Sequence, residues 1–258
     1  MKIDVIMVCF NSRNTIKRAI ESYLAQRHAS KSLIIVDGGS TDGTQTIIGS
    51  FDRSDIRVVS EKDEGIYDAM NKGLRLFDGD AVGFLNSDDT FHSPDCLGAI
   101  DEALTAADIV YGDLLAVSDQ ETKRVIRVWK AGDYPASGFH NGWVPPHGTV
   151  YLRKAVADKI GGYNLKYRLA SDYDFMLRAF TLPGVRIRYV PTFLVDYRLG
   201  GASSNSIRSI IRGNLECLDS RRRNLGHPFV DYALISRPAR RVVQLLRAAV
   251  NRDAARTS

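Results

Sequence analysis

Read for its apolar and polar positions, the chain opens as a series of short apolar runs, each breaking off into polar residues. Ile3 to Phe10 is the first. Asn11-Ser12 follows as a turn and helix cap, and helical spacing of apolar residues then runs to about Gln26. Leu33 to Val36 is a second strand, ending in Asp37-Gly38-Gly39-Ser40-Thr41-Asp42-Gly43, with helix to about Phe51. Ile56 to Ser60 is a third strand, Gly65 to Phe77 a third helix, and Ala81 to Leu85 a fourth strand. This alternation predicts a right-handed, mainly parallel α/β sheet with helices on both faces. Ligands bind such sheets beyond the carboxyl ends of the strands. Four polar clusters fall at those ends: Cys9-Phe10-Asn11, Asp37-Gly38-Gly39, Glu61-Lys62-Asp63 and Asn86-Ser87-Asp88-Asp89. Their convergence on one rim is the mark of a site.

After Pro94 the alternation loosens. The pattern predicts a helix to about Leu104, strands over Ile109 to Val117 and Arg124 to Trp129, and a long loop from Ala131 to Gly148. A strand at Thr149 to Leu152, a helix at Ser171 to Phe180 and a strand pair over Val185 to Tyr197, broken at Pro191, complete this half. From Ser206 the pattern is helical and rich in Arg. The loop aromatics Tyr134, Phe139 and Trp143 suit either core packing or stacking on a sugar.

Composition adds constraints. The apolar (44%) and charged (25%) fractions are those of a soluble globular protein, and no apolar run is long enough to span a bilayer. No signal-peptide pattern precedes the first strand. Cys9, Cys96 and Cys217 are far apart and form no C-x-x-C pair, which argues against disulfides or zinc and predicts a cytoplasmic protein. The net charge of +5 is carried by the tail: from Ile207 onward 11 Arg face 4 acidic residues, leaving the main body slightly acidic.

Adjacent carboxylates at Asp88 and Asp89 repel unless something relieves them. A divalent cation, Mg²⁺ or Mn²⁺, would do so, with a diphosphate and water completing its shell; capping of the next turn is the plainer alternative. Asp37 closes an apolar strand before a Gly-rich turn, a position suited to accepting hydrogen bonds from a base or ribose. "GGSTDGT" is not a dinucleotide fingerprint, and no P-loop occurs.

The segments "VIMVCFNSRNTIKRAIESYLAQ", "LIIVDGGSTDGT", "DEGIYDAMNKGL", "GFLNSDD", "HGTVYLRK" and "ASDYDFMLR" occur in that order. From about Met1 to Gly201 the chain resembles glycosyltransferase family 2 of the GT-A fold, in the group that builds bacterial exopolysaccharide, colanic acid, O-antigen and glycolipid sugars. The resemblance implies a Rossmann-like mixed sheet flanked by helices. It divides the chain into a GT-A domain, 1–205 (a nucleotide-binding half, 1–90, and an acceptor half, 91–205), and a basic helical extension, 206–258. It implies that Asp37 binds the nucleotide base beside Phe10 and Asn11, and that Asp68 lies near the nucleotide or sugar. Asn86, Ser87 and Asp88 would meet the donor diphosphate, Asp88 holding the metal. His147 would contact donor or acceptor, and Asp172 would be the catalytic base. The chain departs from the family pattern at Asn86, where Asp is usual, and at Ser171, where Glu is usual, so Asp174 rivals Asp172 as base.

The implied activity is inverting transfer from a nucleotide-diphosphate sugar to a glycan or a polyprenyl- or other lipid-linked acceptor. A non-catalytic nucleotide-sugar-binding partner of another transferase is the alternative, motivated by Asn86 and Ser171. A nucleotidyltransferase would want a basic, Gly-rich phosphate loop that is absent, and no nucleic-acid module accompanies the Arg-rich tail. In "RPARRVVQLLRAAVNRDAAR", Arg residues flank an apolar stripe. Such a helix suits an anionic membrane surface, which would make the protein peripheral on the inner face of the cell membrane. It also suits packing on the main domain or on a second subunit as a homodimer.

Overall fold

The computed structural model describes residues 1–119, 124–199 and 207–226. The segment 237–256, on which the membrane expectation rests, lies outside the described residues. In chain order the elements are β1 (Ile3–Cys9), α1 (Ile16–Leu24), β2 (Lys31–Asp37), α2 (Thr44–Gly49), β3 (Ile56–Ser60), α3 (Ile66–Leu76) and β4 (Ala81–Phe84). There follow β5 (Thr90–Phe91), α4 (Cys96–Leu104), β6 (Ile109–Val117), β7 (Val125–Trp129), β8 (Tyr151–Arg153), α5 (Lys154–Ile160), α6 (Ser171–Phe180), β9 (Ile187–Arg198) and α7 (Ile207–Leu225).

The strands form one sheet in the order β3-β2-β1-β4-β8-β6-β9-β5, with β7 paired to β6. β3, β2, β1 and β4 run parallel, as the alternation predicts. Beyond β4 the sheet is mixed: β8 runs antiparallel to both β4 and β6, and β9 runs parallel to β6. All seven residues of β1 are buried because helices cover both faces. Ile3, Val5, Met7 and Cys9 face the layer of α1 and α4, while Ile6 and Val8 face α3 and α6. Asp4 interrupts this strand without penalty, since its carboxylate accepts the amides of Asp78 and Gly79, each at 2.9 Å.

Several local expectations are corrected. α1 starts at Ile16, not at Ser12. The Ser12 carbonyl receives the Thr15 and Ile16 amides, both at 3.0 Å, while its hydroxyl is drawn away to Ser87. β9 is one strand through Pro191, because the register against β6 shifts between Gly112 and Leu114 and needs no ladder donor there. The two-residue β5 and the helix α5 carry too few periodic positions to be read in advance. The loop aromatics belong to the core: Phe139 and Trp143 are buried with Tyr111 and Phe180.

α7 is seated on α6 rather than trailing from it. Cys217, Ser220 and Arg221 are buried, and the Arg221 guanidinium donates to the Tyr173 hydroxyl at 3.1 Å.

β4 lies between β1 and β8, and its Gly83 faces the ring of Tyr151. A Cβ at Gly83 lies 2.3–2.5 Å from three ring carbons of that fully buried tyrosine. Gly83→Ala is therefore expected to lower the unfolding free energy by about 1–3 kcal/mol, the ordinary cost of overpacking, read as a lower denaturation midpoint.

Candidate active site

The rim is built around one buried carboxylate. Cys9 and Asp37 face each other in register at the ends of β1 and β2. Asp37 is fully buried and accepts from the Ser40 amide (3.1 Å), the Ser40 hydroxyl, Gln45 Nε2 (2.9 Å) and the Ser60 hydroxyl (2.6 Å). Burial pushes this carboxyl up, but the donors from Ser40, Ser60 and Gln45 outweigh it and hold it below the usual carboxylate value. The same burial, reinforced by Asp37, pushes the Cys9 thiol up, so it stays protonated and points at Asp37 Oδ1 from 3.6 Å.

Asp37 thus sits beneath the rim and knots three strand ends together. What the rim presents to solvent is Phe10, 62% exposed, beside Asn11. Asn11 holds a left-handed backbone (φ 50°), and its side-chain oxygen accepts the Thr41 amide at 3.0 Å. Gly38 lets the loop before α3 close over the β2 end, because a Cβ there meets the Asp63 carboxylate at 2.3 Å.

The β4 rim is tied to the β1 rim by the Ser12 and Ser87 hydroxyls, 2.8 Å apart. The two adjacent acids that follow do different work. Asp89 is 2% exposed and turned inward; it accepts the Asn86 side-chain amide and the Arg198 backbone amide, each at 3.0 Å. Burial and the neighbouring Asp88 push its carboxyl well up. Asp88 is half-buried at the rim, its carboxyl also pushed up by burial and pulled back by Arg198.

Of the two adjacent carboxylates, Asp88 keeps some exposure and Asp89 is buried. No group of three or more His, Cys, Asp or Glu among the described residues could hold a metal. The donor chemistry fits a cation held by Asp88 together with substrate phosphate oxygens, the usual sparse protein ligation of Mg²⁺. The departure at Asn86 has a physical reason: an aspartate there would set a second carboxylate against Asp89.

A third cluster lies beyond the end of β4. Asp172, in the first turn of α6, is half-buried and accepts the Tyr67 hydroxyl at 3.1 Å. Its rival Asp174 is 2% exposed, held by Arg178 (2.8 Å), the Ser220 hydroxyl (2.7 Å) and Asn224 (3.2 Å). It fastens α6 to α7 and faces no open space. His147 stacks on Phe84 at 5.3 Å and shares a 2.7 Å hydrogen bond with the Tyr163 hydroxyl. Burial pushes its imidazole down, with Asp172 pulling the other way.

Asp68 is turned away from this group: it receives the Glu64 amide at 3.1 Å and faces Lys72 at 3.7 Å, closing the loop before α3.

Tyr67, Tyr163 and Arg198 escaped the sequence reading. The first sits inside a motif whose next residue drew the attention. The other two meet their partners only through the fold, Arg198 lying 109 residues from Asp89.

The mixed α/β sheet with its flanking helices is the fold of GT-A glycosyltransferases. The fold is shared with a mannosyltransferase from Pyrobaculum calidifontis in complex with GDP-Man and Mn²⁺ (TM-score 0.65, 18% identity, covering 100% of this chain and 75% of that one). It is shared too with S. aureus TarS in complex with UDP-GlcNAc (TM-score 0.62, 19% identity, 90% and 69%). The chain belongs to glycosyl transferase family 2, which it matches over residues 4–161. It is 30% identical over 210 residues to a PGL/p-HBAD biosynthesis glycosyltransferase of Mycobacterium bovis, covering 79% of each chain. It is 32% identical over 216 residues to an uncharacterized glycosyltransferase of Mycobacterium tuberculosis, covering 83% and 81%. It is a glycosyl-transfer enzyme.

Asn86→Asp tests the corner. Restoring the acid sets it against the raised Asp89 carboxyl, at a cost of about 1–3 kcal/mol for a buried partner left unsatisfied. Carboxyls whose folded pKa is raised stabilise only while protonated, so the deficit grows as pH rises above the ordinary carboxylate range. Thermal melts at pH 5 and pH 8 should show the larger loss at pH 8; an equal loss at both would mean that charge is not its source.

Proposed function

We propose that this chain is an inverting glycosyltransferase that moves a sugar from a nucleotide-diphosphate donor to a glycan or lipid-linked acceptor in bacterial polysaccharide or glycolipid synthesis. One observation carries the reading. Asp88 and Asp172, both half-buried, sit around the end of β4, and each has a neighbouring acid, Asp89 or Asp174, buried as its support. Phe10 and Asn11 are suited to the nucleotide, and Ser87 and Asp88 to its diphosphate. The names of the neighbours, with GDP-Man or UDP-GlcNAc bound, support a nucleotide-sugar donor for this chain too.

A divalent cation bound at Asp88 would neutralise charge on the departing diphosphate. The remaining work falls to the chain itself. Asp172 takes the proton of the acceptor hydroxyl as its oxygen attacks the anomeric carbon from the face opposite the nucleotide. Asp172 lies in the first turn of α6. Neutral His147 borders the same space and suits a hydrogen bond to donor or acceptor. No helix among the described residues is long and apolar enough to cross a membrane.

Nucleotide release from a panel of UDP-, GDP- and dTDP-sugars identifies the donor. In that assay Asp172→Asn should retain donor binding and lose roughly 10²–10⁴-fold in turnover, the ordinary effect of losing a general base. Asp88→Asn should abolish release while the protein stays folded, and EDTA should suppress it. Donor binding with no release from the unaltered protein would favour a non-catalytic binding partner instead.

A further inference from the structure

Tyr67 is the one side chain of α3 that reaches the α6 acid. Its hydroxyl donates to Asp172 Oδ1 at 3.1 Å, and the Tyr173 amide donates to the same oxygen at 2.8 Å. No hydrogen bond from a described residue goes to Oδ2. One oxygen thus carries both hydrogen bonds, and the other accepts none from a described residue.

The donor is itself held in place. The Tyr67 ring stacks on Tyr163 at 5.6 Å with an 18° interplanar angle, and Tyr163 stacks on Phe175 of α6 at 4.3 Å and 10°. The Tyr163 hydroxyl is taken by His147. The column therefore runs from α3 through Tyr163 to α6, and the Tyr67 hydroxyl ends at Asp172. Burial and the Asp172 charge both push the Tyr67 phenol up, so it remains a proton donor across the range in which a transferase works. The groups around Asp172 are Tyr67 from α3, His147 from the turn before β8 and Tyr163 from the segment before α6, with Glu216 of α7 beside Tyr67.

We infer that Tyr67 is a positioning residue that fixes the Asp172 carboxylate by its Oδ1, so that Oδ2 alone faces the acceptor and takes its proton. The inference rests on Asp172 being the base. In the step, the acceptor O–H proton passes to Oδ2 and the acceptor oxygen forms the bond to the anomeric carbon. The bond from that carbon to the diphosphate oxygen breaks, its electron pair leaving with the nucleotide diphosphate. Tyr67 keeps its own proton throughout. Because α3 begins in the loop that closes over the rim at Gly38 and Asp63, the same residue joins the donor side of the site to the base.

Tyr67→Phe keeps the ring stack and removes only the hydroxyl. With the donor selected by the panel and water as acceptor, kcat is expected to fall roughly 10- to 100-fold, the effect of losing a hydrogen bond to a charged group, with donor KM unchanged. A carboxylate that loses a donor is harder to ionise, so the acid limb of the kcat–pH profile moves to higher pH. A second measurement needs no substrate: the ¹³C carboxyl resonance that Asp172→Asn deletes should titrate at higher pH in Tyr67→Phe. In the Asp172→Asn background, Tyr67→Phe should cost nothing further. An unmoved carboxyl titration, or full loss from Tyr67→Phe in that background, overturns the inference. If Asp172→Asn itself turns over normally, it is the assignment of the base that fails.

Discussion

Everything at the rim hangs on the burial of a single charge. Asp37 lies at the end of a strand that is apolar on both faces, where an isolated carboxylate would be costly. It is tolerated because Ser40, Gln45, Ser60 and Cys9 converge on it from the ends of three neighbouring strands and the helix after β2. Those donors fix where the first strand ends and how the Gly-rich turn is laid. That turn in turn holds Asn11 through Ser40 and Thr41. The exposed Phe10 and the Ser12 link to the fourth strand follow from the same anchoring.

A common device appears in the two acidic clusters. In each, two carboxylates lie within two residues of one another, and the fold separates their roles by burial. Asp89 and Asp174 are inward and saturated with donors; Asp88 and Asp172 keep an accessible face. The inward acid holds the turn or helix in place, and the outward one inherits a fixed position. Repulsion between such neighbours is relieved by giving one of them its own set of hydrogen bonds.

The parallel half of the sheet was legible because its strands are buried on both faces and read as near-continuous apolar runs. Chain order alone then placed Asp37 and Asp88 at one rim. The mixed half was less legible. Pro191 reads as a strand break, yet a shift of register lets β9 pass through it. The loop aromatics could be core or ligand platforms until Tyr111 and Phe180 were seen to surround them. Asp172 and Asp174 are two residues apart and alike in sequence; what distinguishes them is Ser220 and Asn224, some fifty residues downstream. Tyr67 and Arg198 were hidden for the same reason, since their chemistry lies in partners that periodicity cannot supply.

The seat of α7 has a consequence for how this enzyme can drift in evolution. Asp174 is matched by Arg178, Ser220 and Asn224, while Glu216 receives the Leu169 and Ala170 amides just ahead of the first turn of α6. These positions form one unit of inheritance spread over two helices. A lineage that loses the acid at 174 leaves the buried Ser220 hydroxyl without its acceptor, and is pressed to alter 220 with it. The outer face of the same helix, where Ile211 and Leu215 stand in solvent, carries no such debt to the site and is free to diverge.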